Sequence, residues 1–337
     1  MAIGISPRRG SSRLAVWLGA LSLAVCAPLA RAADAPPAGP LRVVASFSIL
    51  GDMVRQIGGG DVKVDTLVGP DGDAHEYEPT PGDARALNAA RLLVVNGLNF
   101  ETWMNRLVKT ANFKGTIAVA SDGVTPRHFD DDDIGGVVGS DAGQHASAHA
   151  GHGAAAHAGH ATSLDPHAWQ SLANGVLYAR NIGAALAKAD PAHADAYRQR
   201  TDAYVAKIEA LDQRVKQAFA ALPPDRKRVV TSHDAFGYFG QAYGVTFIST
   251  MGISTDAEPS AADVARIIDQ VKREKVPAVF LENVSNPRLG QRIAHDTGAK
   301  LGGTLYSDAL AKPGLPASTY LGMFEWNLSA FMAALKP

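Results

Sequence analysis

Three histidines and one aspartate stand in loops where they could hold a divalent cation. They are His75 in Asp73-Ala74-His75-Glu76-Tyr77, His167 in Asp165-Pro166-His167-Ala168-Trp169, His233 in Thr231-Ser232-His233-Asp234-Ala235, and Asp308 in Leu305-Tyr306-Ser307-Asp308. Neutral imidazole and carboxylate suit Zn2+, and three imidazoles with one carboxylate complete a tetrahedral set with Zn–N distances of ~2.0 to 2.1 Å. Four protein ligands make a holding site, because no coordination position is left open for a reacting water. Each residue alone is ordinary: a single loop histidine is usually solvated, and a single loop aspartate usually caps a turn. Carboxylates adjoin the histidines in sequence, with Asp73 and Glu76 around His75, Asp165 before His167 and Asp234 after His233. Such neighbours commonly fix an imidazole's tautomer, and Glu76 is also a candidate for the coordination sphere itself. Trp169, Phe236, Tyr238, Phe239 and Tyr306 are candidates for a dry wall around the ion, although simple core packing explains each of them equally well.

Residues so far apart meet only if the elements carrying them converge. From Leu41 short apolar runs alternate with helical patterns: strands at 41–47, 62–68, 92–95 and 116–120, helices at 49–57, 81–90 and 100–112. The rhythm returns with strands at 228–231, 245–249, 277–281 and 300–306 and helices at 260–274, 287–297 and 318–335, the first of these behind the capping-box pattern Ser260-Ala261-Ala262-Asp263. This alternation indicates an α/β fold of two lobes, 41–190 and 223–337, each a mainly parallel sheet flanked by helices. Between them, 192–222 has no glycine or proline and places Tyr197, Tyr204, Ile208, Leu211, Val215 and Phe219 at steps of three, four or seven. That spacing predicts one long amphipathic helix, roughly 45 Å at ~1.5 Å per residue, so 191–222 is expected to be a rigid link. In open parallel sheets, ligands gather beyond the carboxyl ends of the strands. His75, His233 and Asp308 each follow a strand and His167 enters a helix near Ser171, so two candidate ligands come from each lobe and an ion would lie between them.

The chain begins as an exported protein would. Residues 1–32 combine Arg8, Arg9 and Arg13 with an apolar run from Leu14 to Leu29 and the small-residue cleavage pattern Ala30-Arg31-Ala32. The run is shorter than the roughly 20 apolar residues of a spanning helix. The only cysteine, Cys26, falls inside it behind Val25, where a lipid-bearing cysteine would want a small residue, so the expectation is a soluble periplasmic product without thiolate ligands. Residues 33–40, rich in proline and alanine, read as a flexible lead. Cleavage removes four arginines and no acid, taking the formal charge from −1 to −5, which argues against a nucleic-acid partner.

Residues 128–161 change composition sharply, with Asp130 to Asp133 in a row and then His145, His149, His152, His157 and His160 among glycine, alanine and serine. No apolar period survives, so disorder is expected. These imidazoles form a candidate secondary Zn2+ capture segment, weaker than a built site because ordering costs about 1 to 2 kcal/mol per residue. His193 and His295 fall in predicted helices as surface residues. A zinc hydrolase is the catalytic alternative, but His75-Glu76 lacks a second histidine four residues on. Pro79 stands there, and no nucleophile elbow, Walker loop or dinucleotide fingerprint appears.

The four ligand-bearing segments, in this order and spacing and with a histidine-rich insertion between the first two, resemble those of the periplasmic solute-binding proteins that serve zinc and manganese ABC transporters. The resemblance covers nearly the whole mature chain. It implies that His75, His167, His233 and Asp308 are the ligands, and that the metal, Zn2+, is the transported substrate and not a catalytic cofactor. It further implies a monomer that delivers its ion to an ABC permease, with a zinc metallochaperone as a second partner. Manganese binders of that family commonly carry glutamate where this chain has His233, which favours zinc; a manganese or iron(II) binder of the same family is the alternative. In that family one long helix likewise ties the lobes, a rigid tie from which little hinge motion is expected here, and a histidine-rich loop is thought to capture zinc or pass it on.

Overall fold

The computed structural model describes Met1 and residues 39–129, 163–252, 255 and 259–336. The expected export signal and Cys26 lie outside the described residues, as do His145, His149, His152, His157 and His160.

Among the described residues two four-stranded parallel sheets make the frame. The first contains β1 (Leu41–Phe47), β2 (Val62–Val68), β3 (Leu92–Val95) and β4 (Thr116–Val119) in the order β2-β1-β3-β4, linked by α1 (Ser48–Gly58), α2 (Pro81–Ala89) and α3 (Met104–Thr110). Val43, Val44, Ala45 and Phe47 of β1 are all buried. A continuous apolar run of this kind is what a strand covered on both faces requires. A short antiparallel ribbon follows, β5 (His128–Phe129) with β6 (Ser163–Leu164), so the first two residues of the compositionally odd segment are strand. The second sheet contains β7 (Arg228–Thr231), β8 (Thr246–Ser249), β9 (Ala278–Glu282) and β10 (Lys300–Leu305) in the order β10-β9-β7-β8. Numbered by their own succession, the first sheet runs 2-1-3-4 and the second, read from its β8 edge, runs 2-1-3-4 as well, so the second half repeats the topology of the first. In each, the connections diverge between the first and third strands, and such a switch point opens a crevice at the carboxyl ends.

Between the sheets lie α4 (Leu172–Ala189) and α5 (Ala194–Ala220), joined by the 3-10 turn Pro191–His193. The long helix is therefore 27 residues, about 40 Å, shorter than the sequence indicates because its first turn is the tighter one begun by Pro191. His193 sits in that turn, its Nδ1 2.7 Å from Asp190 Oδ2. The start of α5 is tied to the first lobe, where Arg200 donates to Ile57 O at 2.6 Å and Gly58 O at 2.9 Å. Its end lies in the second lobe, where the Phe219 ring meets Phe239 at 5.4 Å and Phe331 at 5.5 Å. Where α4 meets α5, a Cβ on Gly183 would come within 2.1 Å of Thr201 Oγ1, so the close approach needs glycine.

The second sheet carries α6 (Gly237–Tyr243), α7 (Ala261–Glu274), α8 (Pro287–Thr297) and α9 (Tyr320–Leu335). The capping box of Ser260 and Asp263 is present at α7. The third helix is shorter than its sequence pattern. Leu98 and Asn99 take positive φ values of 52° and 61°, and the Glu101 carboxylate accepts from Asn96 N at 2.6 Å, Gly97 N at 3.3 Å and Ser46 Oγ at 2.6 Å. Residues 96–103 thus form a loop braced by Glu101, and the helix starts only at Met104.

One apolar core runs without a break from Val43 and Leu50 through Tyr178 and Ile208 to Phe239, Phe280 and Phe331, and the described residues from 39 onward belong to one compact unit. A smaller cluster of Val230, Ile248, Ile267, Val271 and Ile293 fills the space between the second sheet and α7 and α8. No described helix is long and apolar enough to cross a membrane.

Candidate metal centre

Each of the four candidate side chains is aimed by its own loop. After β2 the chain turns through Asp73, whose Oδ1 accepts from His75 N at 2.8 Å, and the Trp103 indole donates to Ala74 O at 3.0 Å. The Asp165-Pro166-His167 turn closes on itself: Asp165 Oδ1 accepts from His167 N at 3.0 Å and lies 2.9 Å from His167 Nδ1. Asn96 Nδ2 donates to Pro166 O at 2.9 Å, so the braced loop at 96–103 touches both histidine loops of the first lobe. His233 leaves the end of β7 with its Nδ1 2.7 Å from Glu282 Oε2, while Glu282 Oε1 accepts from Ser232 N at 2.7 Å and His233 N at 3.0 Å. Asp308 follows β10 on a loop held across the lobes, because Ser307 O accepts from Trp169 Nε1 at 2.9 Å and Gln170 Nε2 at 2.7 Å.

With Nδ1 of His167 and His233 turned to carboxylates, the opposite ring nitrogens face one point. His75 Nε2 is 3.3 Å from His167 Nε2 and 3.2 Å from Asp308 Oδ2; His233 Nε2 is 3.0 Å from Asp308 Oδ2 and His167 Nε2 is 3.7 Å from Asp308 Oδ1. The four ligand atoms all lie within 4.8 Å of one another. Ligands ~2.0 to 2.1 Å from a tetrahedral ion are separated by roughly 3.3 Å, a spacing that these shorter distances bracket. Asp308 Oδ1 is buried without a hydrogen-bond partner among the described residues, a lone pair that a cation would satisfy.

The side chains of His167, His233 and Asp308 are fully buried, and that of His75 is 7 % exposed, so the cluster meets solvent on the His75 side. Burial alone would lower the His167 pKa, but Asp308 and Asp165 outweigh it and raise the group to about 9. Burial likewise opposes charge on His233, yet Glu282 and Asp308 hold its pKa well above the usual imidazole value. For Asp308 burial pushes upward, and the His233 and His167 imidazoles overcome it, holding the carboxyl well below its ordinary range. The carboxylates that favour protons on these imidazoles would equally favour a divalent cation in their place.

The structure brings His75, His167, His233 and Asp308 together. Asp165 stands behind His167 as its sequence position suggests, whereas Asp234 does not serve His233. Glu282 takes that place, and both oxygens of the buried Asp234 lack a hydrogen-bond partner among the described residues. Burial first, and then Asp165, push the Asp234 pKa up to about 6. Glu76 is exposed and lies outside the cluster. Of the expected aromatic wall, Trp169 is in place, 5.2 Å from the His167 ring. Phe100, which sequence reasoning missed, lies 4.9 Å from His75. Phe236 stacks on Phe247 and Phe239 packs edge-on against Tyr243 in the second-lobe core, and Tyr306 meets Trp326 edge-on. His295 is on the surface of α8, and His193 is half-exposed. Glu282 carried one usable signal, a carboxylate at the carboxyl end of a buried strand.

Comparison with known proteins gives a consistent picture. The family model described as zinc-uptake complex component A, periplasmic, matches residues 43–334. The metal ABC transporter substrate-binding lipoprotein FimA of Streptococcus parasanguinis is 34% identical over 304 residues, 88% of this chain and 90% of that protein. The manganese ABC transporter substrate-binding lipoprotein PsaA of Streptococcus pneumoniae is 32% identical over 88% of this chain and 89% of its own. The iron ABC transporter substrate-binding lipoprotein MtsA of Streptococcus pyogenes serotype M1 is also 32% identical, with the same coverage. Among solved structures, the periplasmic zinc binding protein TroA from Treponema pallidum superposes with a TM-score of 0.74 at 29% identity, covering 89% of this chain and all of that one. A manganese-bound periplasmic metal binding protein from Candidatus Liberibacter asiaticus gives 0.72 at 28% identity, covering 87% of this chain and 98% of its own.

Proposed function

Because the chain belongs to the zinc-uptake complex component A family of metal ABC transporter substrate-binding proteins, we propose that its cargo is Zn2+, enclosed by His75, His167, His233 and Asp308 outside the cytoplasm and handed to an ABC permease. It is a binding protein and not an enzyme: its relatives are named as substrate-binding proteins, and the candidate site offers four protein ligands with no open position. The observation that carries the reading is the set of four ligand atoms within 4.8 Å of one another, three of the four side chains fully buried.

The choice of zinc rests on the ligand set. Three imidazoles make a softer site than one with two carboxylates, and at nitrogen-rich sites Zn2+ intrinsically outcompetes Mn2+ and Fe2+. Relatives at equal identity are named for manganese and iron, so names do not separate the metals. The histidine-rich insertion adds weak, exchangeable capture by His145, His149, His152, His157 and His160. A zinc metallochaperone fits as a second partner, and the protein acts as a monomer.

Elemental analysis of protein purified without added metal, followed by competition between Zn2+ and Mn2+, tests the proposal. One tightly held zinc per chain, not displaced by excess manganese, is the expected result. Preferential retention of manganese or iron would reassign the cargo, and no retained metal would end the site assignment.

A further inference from the structure

Beyond the four ligands and their direct partners, we propose that Arg127 is a positioning residue for the cation. Seated on the second lobe, it locks Asp165 against His167 within the first and so slows release of the bound ion, a role that rests on the site assignment made under Proposed function.

Arg127 belongs to the first lobe and directly precedes β5, after which the histidine-rich insertion begins in sequence; β6 follows the insertion and runs straight into Asp165. Its side chain forms an ion pair through Nη1 with Asp165 Oδ2, while Oδ1 of the same carboxylate holds both the backbone N–H and Nδ1 of His167. Asp165 N in turn donates to Arg127 O at 3.0 Å, so the two residues are joined through backbone and side chain. The guanidinium is seated on the second lobe. Its carbon lies 5.6 Å from the Tyr238 ring centre, and Arg127 N donates to Tyr238 Oη at 2.9 Å. A Cβ on Gly237 would fall 1.4 Å from Arg127 Nη1, so the absence of a side chain there creates the seat.

The local charges explain why this cation is needed. Asp165 and Asp234 are both buried near one another, Asp234 has no hydrogen-bond donor among the described residues, and Arg127 is a cation whose charge offsets them. Without it, Asp165 loses the ion pair that fixes its Oδ2 while Oδ1 orients His167. Partners that orient a metal-binding histidine in this way typically change metal affinity by about 10- to 100-fold. Arg127 is a small part exposed and lines a surface cavity of about 390 Å3 together with Thr125, Asn174 and Gln241. The stem of the insertion and the hold on His167 thus meet in one residue.

The test uses the full mature chain, with Co2+ as a visible probe of coordination and Zn2+ release to an excess of chelator followed by stopped flow. Arg127→Gln removes the charge, Arg127→Lys keeps it without the fork, and Gly237→Ala expels the guanidinium while leaving Asp165 and His167 intact. Expected are Zn2+ release at least about tenfold faster and an altered Co2+ absorption band in Arg127→Gln and Gly237→Ala, with Arg127→Lys between them and the wild type. Circular dichroism and thermal melts establish folding, and if one variant does not fold the other two decide. A lowered melting temperature with wild-type release and spectrum would reduce Arg127 to a structural role and overturn the proposal, leaving the site assignment intact. Failure of the wild type itself to bind Co2+ would overturn both.

Discussion

At the scale of single residues, His75 and His167 are set by near neighbours in sequence, Asp73 and Asp165, whereas His233 is set by a carboxylate that arrives from elsewhere, Glu282. His233→Ala is expected to weaken Zn2+ binding far more than Glu282→Gln, which should cost about 10- to 100-fold as an orienting partner does. Chelator competition with unchanged circular dichroism checks both, and equal affinities in the two variants would contradict this division between ligand and orienting partner. The pH dependence follows from His167. Its folded-state pKa of about 9 lies above the ~6.5 of a free imidazole, so its proton stabilises the ion-free fold fully below roughly pH 6.5, and that contribution is lost as pH rises through about 9. A bound cation replaces the proton. The rise in melting temperature on adding Zn2+ should therefore grow between roughly pH 6.5 and 9, and affinity should already be falling with acidification above neutrality; a flat increment would refute this. All four candidate ligands were legible in the sequence because each stands in a loop beyond a strand or entering a helix, and because the four segments together resemble those of a known family. Glu282 was not, since it lies 49 positions from His233 and proximity in sequence pointed to Asp234 instead.

Among the elements, the alternation of apolar runs and helical patterns revealed both sheets, since period and length distinguish a short buried strand from a helix. What that reading could not see were backbone stretches governed by distant side chains. Residues 96–103 look helical by composition, yet Glu101 folds back on Asn96 and Gly97 and binds Ser46 on a neighbouring strand. The junction of α4 and α5 is the element on which the link between the lobes depends. Gly183→Ala should push against Thr201 and destabilise the fold by about 1–3 kcal/mol, as overpacking typically does, while Zn2+ affinity stays at its wild-type value. Urea unfolding and a metal titration read the two effects separately, and unchanged stability would mean that the helices separate without penalty.

For the molecule as a whole, the unbroken apolar core and the helix anchored in both lobes leave little scope for hinge opening. Small-angle scattering curves of the ion-free and zinc-loaded forms should superpose, and a marked compaction on loading would count against this. Removing residues 141–161 should lower the number of Zn2+ ions bound per chain while sparing the tightest; an unchanged count would deny the insertion any share in capture. His75 alone among the four side chains reaches water, so loading and unloading share one doorway. An acceptor that takes the ion must therefore sit over that doorway, and while it does so the cargo is shielded from every competing chelator in the surroundings.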